Sequence, residues 1–133
     1  MADNTVLLVE DNAELSASLK SLFQAKGIPL QHYTECASAL ADLEKISPRV
    51  IILNMLFNKK AEGILAARKL RRNKQYAKWA KVPLIMLSDL RIQQGVIFPK
   101  PSRYPYALPV DEFIQKPVKP DIVLAKAEEF LKA

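Results

Sequence analysis

The chain has one cysteine, three glycines and one histidine in 133 residues, and no apolar run long enough to cross a bilayer. Each scarcity removes a class of protein. A single thiol, Cys36, cannot close an internal disulfide, which fits a reducing compartment and a small buried side chain. His32 has no second imidazole and no paired cysteines with which to build a metal site, so it reads as structural. Three glycines are too few for a phosphate-cradling loop, and no Ser-His-Asp or Cys-His arrangement occurs, so no enzyme is expected. The first five residues carry no cation, and the apolar run behind them, residues 6–9, is far shorter than a signal sequence or a span. A soluble, cytoplasmic protein without membrane attachment is the expectation.

Half of the residues are apolar and 26% are charged, enough for one globular domain over residues 1–133 with one substantial core. Runs rich in Val, Ile and Leu at 5–9, 29–33, 50–53, 82–87 and 112–115 alternate with segments of helical period, the pattern of repeated strand-helix units and a parallel sheet. Several runs are continuously apolar, as strands covered on both faces must be. Leu15, Leu19, Leu22 and Phe23 form one stripe on a first helix, which Asp11 or Asn12 caps and Gly27 ends. A second helix is predicted over about 36–46, with Ala37, Leu40 and Leu43 inward and Ser47-Pro48 as its stop. A third runs over about 61–73 with Ile64, Ala67 and Leu70 on one face, and the last starts near Pro120 and buries Val123, Ala127, Phe130 and Leu131.

Between residues 90 and 110 the pattern breaks. Pro99, Pro101, Pro105 and Pro109 fall there, and an interior proline costs a helix about 3 kcal/mol. The fourth helix is therefore expected to be short or replaced by a proline-rich loop. That loop carries Phe98, Tyr104 and Tyr106 and serves either as a partner surface or as a cover for exposed sheet edge.

In an open parallel sheet, sites form beyond the carboxyl ends of the strands. The predicted strands end in Glu10-Asp11-Asn12, Asn54, Ser88-Asp89 and Lys116-Pro117. Alone, Glu10 and Asp11 read as a capping pair, with Asp11 and Glu14 at capping-box spacing. With Ser88 and Lys116 they read as one polar rim.

The segments Val6-Leu7-Leu8-Val9-Glu10-Asp11-Asn12, Ile85-Met86-Leu87-Ser88 and Phe113-Ile114-Gln115-Lys116-Pro117 resemble the receiver domains of two-component response regulators, over essentially the whole chain. The resemblance implies an α/β, flavodoxin-like, doubly wound parallel sheet of five strands in the order 2-1-3-4-5, with helices on both faces. It implies that Glu10 and Asp11 occupy the magnesium-holding positions, a role that suits hard oxygen ligands. It places Asn54 where the family carries its phosphate-accepting Asp, Ser88 at the hydroxyl that meets the phosphate, Lys116 at the amine that neutralises it, and Phe113 at the aromatic that reports the switch.

The departure lies at the centre. An amide has no anionic oxygen to act as nucleophile, and it removes one negative charge from the metal site. No Asp lies between Glu44 and Ser88, so a shifted register supplies no substitute. Lys59, Lys60 and Glu62-Gly63 depart from the family's loop, with Gly63 about one residue late. The expectation is a degenerate receiver with no required cofactor and weak magnesium binding at most. In its pocket Asn54 donates to Asp11 or Glu10, and Lys116 pairs with either. Its partner would be a protein, a kinase or an output protein, and its state a monomer or homodimer. One rival is a working receiver that uses Asp89 or Asp11. Another is a basic nucleic-acid-binding module, suggested by the net charge of +6 and by Arg68, Lys69, Arg71, Arg72, Lys74, Lys78 and Lys81, with Tyr76 and Trp79 nearby. No helix-turn-helix or other reading motif accompanies that charge, which argues against nucleic acid, and Trp79 is expected to fold onto the sheet edge.

Overall fold

A computed structural model of the chain describes residues 4–55, 57, 60, 62–88 and 110–132. Its five strands are β1 (Val6–Val9), β2 (Leu30–Tyr33), β3 (Val50–Asn54), β4 (Leu84–Ser88) and β5 (Glu112–Gln115). They pair in parallel in the order β2-β1-β3-β4-β5.

Side chains alternate between the faces of a strand, so the continuous apolar runs feed two cores. Leu7, Val9, Ile51, Leu53 and Met86 point to one face, where they meet α2 (Cys36–Ala41), α3 (Leu43–Ile46) and α4 (Glu62–Arg72). Val6, Leu8, Ile52, Ile85 and Leu87 point to the other, against α1 (Ala13–Ala25) and α5 (Pro120–Lys132). Helices on both faces of a parallel sheet make the doubly wound, flavodoxin-like arrangement.

At the start of α1, Asn12 is the cap: its Oδ1 accepts from the Leu15 amide at 2.8 Å. After α1, Gly27 turns the chain with φ +71°, a conformation that side chains resist. The single helix predicted over 36–46 is two short ones. It breaks at Asp42, whose backbone leaves helical geometry and whose carboxylate accepts from the Tyr33 hydroxyl at 2.7 Å. Cys36, Ala39, Leu43 and Ile46 are buried there, whereas Ala37 is exposed, because a helix starting at Cys36 brings the third residue on, not the next, to the same face. In α5 the buried set is Val123, Leu124 and Ala127, with Phe130 and Leu131 at the margin.

Behind α4, a 3-10 segment (Lys74–Trp79) carries Trp79 into the core, where it is 7% exposed. The proline-rich stretch with Pro99, Pro101, Pro105 and Pro109, the predicted short fourth helix, and Asp89 lie outside the described residues. Among the described residues, no helix is long and apolar enough to cross a membrane.

Candidate functional site

Strand register decides what meets at the rim. Val9 pairs with Leu53, Asn54 with Leu87 and Ser88 with Gln115, so Glu10, Asn54, Ser88 and Lys116 all follow at the same end of the sheet. Asn54 is the last residue of β3 and is 1% exposed. Its Nδ2 donates to Asp11 Oδ1 at 3.2 Å. Glu10 is fully buried; its Oε2 accepts from the Asn12 amide at 3.0 Å, and Lys116 Nζ lies 3.3 Å from its Oε1. Lys116 precedes Pro117 through a cis peptide bond. Phe113, on β5, is half-buried and packs against the core on the α4 side. For Ser88 the backbone pairing with Gln115 gives its place on the rim.

The electrostatics follow from burial. Desolvation pushes the Glu10 carboxyl above its usual range, and the Asn12 amide and the Lys116 ammonium offset this only in part. Glu10 is also braced through its backbone. Its carbonyl oxygen lies 2.8 Å from His32 Nε2 and accepts from the Ser16 hydroxyl at 3.4 Å, so the lone histidine ties β2 to the rim.

Gly63 decides how closely α4 can approach the end of β3. A Cβ on Gly63 would stand 1.8 Å from the Asn54 carbonyl oxygen and 2.6 Å from that of Met55, so only glycine lets α4 start against this backbone. Its amide donates to the Met55 carbonyl at 3.0 Å. Upstream, Phe57 and Lys60 exchange two 2.9 Å backbone hydrogen bonds.

The donor set suits a divalent cation poorly. Magnesium takes oxygen ligands in octahedral array, and here an amide N–H and an ammonium already point at the carboxylate oxygens of Asp11 and Glu10. Among the described residues, no group of three or more His, Cys, Asp or Glu side chains is placed to hold a metal. With Asn54 neutral, two carboxylates face one ammonium. A carboxylate at that position would add a second uncompensated negative charge, and a buried one.

Sequence reasoning missed one polar cluster. Arg71 looks like part of the basic run, yet its guanidinium turns inward and donates to the carbonyls of Ala80 and Val82 at 2.7 and 2.8 Å and to Asp111 Oδ2 at 2.6 Å. Asp111 also accepts from the Leu84 amide at 2.8 Å, pinning the start of β5 to that of β4. The only signal in the sequence was an acid just before a strand, which is too common to single out.

Solved structures similar to this chain over nearly its whole length include several receiver domains. The receiver domain of the Francisella response regulator 1452 superposes with a TM-score of 0.77 at 20% identity, covering 98% of this chain and 98% of that one. The signal receiver domain of a signal transduction histidine kinase from Syntrophus aciditrophicus gives 0.76 at 23% identity, covering 97% of this chain and 90% of that one. The BeF3-activated N-terminal receiver domain of Klebsiella pneumoniae RstA gives 0.74 at 17% identity, covering 98% and 100%. No curated protein matches the sequence. The chain thus has the receiver-domain fold of two-component response regulators. By sequence it belongs to the TP_0454_N N-terminal domain family, whose model matches residues 5–92.

Proposed function

We propose that this domain is a regulatory module of two-component type that binds a protein partner without being phosphorylated. The observation that carries the reading is the Asn54 amide, buried at the tip of β3 and donating to Asp11, where a receiver needs a nucleophilic carboxylate. An amide nitrogen that donates has no lone pair to offer, and the amide oxygen is too weak a nucleophile to form an acyl phosphate. Lys116, which a receiver uses to meet the phosphoryl group, instead lies beside Glu10. The pocket is therefore held together by its own charges, with hydrogen bonds to charged groups that contribute about 1.5 to 3 kcal/mol each. One ammonium facing two carboxylates leaves a single net negative charge, with no third carboxylate to complete a magnesium site. The module's output would be recognition of its surface by a sensor kinase or an output protein, and it would carry out no catalysis itself.

The test is intact-mass measurement after incubation with acetyl phosphate and magnesium. The native protein should stay unmodified, and the Asn54→Asp variant, nearly isosteric and supplied with Ser88 and Lys116, should gain one phosphoryl group. Equal labelling of the native protein would assign the activity to another carboxylate, Asp11 or Asp89, and end this reading.

A further inference from the structure

The formal charge of the chain is concentrated in one place. Residues 62–81 hold seven Lys and Arg and a single carboxylate, Glu62, a balance of +6 that equals the net charge of all 133 residues. The rest of the chain is electrically balanced. Arg71 is turned inward, but Arg68, Lys69, Lys74 and Lys81 are exposed, and no carboxylate among the described residues pairs with any of them. Leu65, 53% exposed, stands on the same side of α4, three and four residues before Arg68 and Lys69.

We infer that this face, α4 with the 3-10 segment behind it, docks an acidic segment of a partner protein that carries an apolar side chain to cover Leu65. The inference rests on the reading of the domain as a protein-binding module and names the kind of partner. Three observations favour a protein over a nucleic acid. Phosphates offer nothing to Leu65. The aromatic residues of the segment are turned away, Trp79 buried and Tyr76 packed on the core, which leaves no platform here on which bases could stack. Lys78 already holds the exposed carboxylate of Glu44 at 3.0 Å, which shows that a side-chain carboxylate is a partner the cations of this segment accept. An acidic membrane is disfavoured because α4 spends its other apolar side chains on the core and leaves only Leu65 outside.

The test is fluorescence anisotropy with the full chain and four probes: a labelled Glu-rich amphipathic peptide with a leucine stripe, the same peptide with serine in place of leucine, a random-sequence DNA duplex, and phosphatidylserine vesicles. The leucine-bearing peptide should bind most tightly. The double variant R68E/K69E should weaken it roughly tenfold, and Leu65→Ser roughly threefold. Both changes are on the surface, so an unchanged unfolding temperature checks that the fold is intact. Tighter binding to DNA or to vesicles, indifference to Leu65→Ser, or failure of both peptides to bind would each overturn the inference. None of these outcomes bears on whether Asn54 blocks phosphorylation, which the mass measurement decides separately.

Discussion

At the scale of single residues, Glu10 sets the behaviour of the rim. Its carboxyl is fully buried beside Lys116 and is held above its ordinary value of 4.5 by desolvation. A carboxyl whose folded pKa is raised favours the folded state most when protonated. Its contribution is therefore complete below pH 4.5 and is lost as the pH rises through the folded value. The variant Glu10→Gln has no such titration. Unfolding by urea at pH 4 and pH 7 should show the native protein losing ground to Glu10→Gln as the pH increases. A difference that stays constant would mean that Lys116 compensates the buried charge completely. At the same scale, His32 and Arg71 mark the limit of what a sequence tells. His32 gives no local clue to its partner, the Glu10 carbonyl, which lies 22 residues away. Arg71 is indistinguishable in the sequence from the solvated cations around it and differs only in the direction its side chain takes.

Among the elements, the junction of β3 and α4 is the least forgiving. The atoms that a Gly63 side chain would strike belong to the backbone of Asn54 and Met55, which cannot rotate away. Gly63→Ala would gain about 1 kcal/mol in helix propensity but should destabilise the domain by a net of about 3 kcal/mol, read as a lowered urea midpoint. An unchanged midpoint would show that α4 can lift off the strand without cost. Strands are the most legible elements: the apolar run at 112–115 coincides with β5, and the other four runs differ from their strands only at the ends. Residues 36–46 read as one long helix because nothing local marks the break at Asp42, whose carboxylate meets Tyr33 only in the folded chain. The late position of Gly63 is visible in the sequence, but the backbone pairing of Phe57 with Lys60 is not.

For the whole molecule, the parallel sheet brings every strand end to one rim, so the meeting of Glu10, Asp11, Asn54 and Lys116 follows once strand order is known. Apolar periodicity alone indicated a parallel sheet; the order 2-1-3-4-5 came from the resemblance. The charge balance of the rim also governs how the domain responds to ions. Millimolar magnesium should move the unfolding temperature of the native protein by less than about 1 °C, and that of Asn54→Asp by several degrees, because only the variant presents an uncompensated third carboxylate. A large shift in the native protein would show that the Asn54 and Lys116 donors yield their places to the ion.

The way the rim is assembled also has a hereditary side. Asn and Asp codons differ by one base, and the backbone places Glu10 and Asp11 between β1 and α1 and Lys116 directly after β5 by strand order. A single nucleotide substitution therefore separates an amide from a carboxylate on the same backbone. On the proposed reading, that one step lies between a module that is not phosphorylated and one that can be, on the same scaffold.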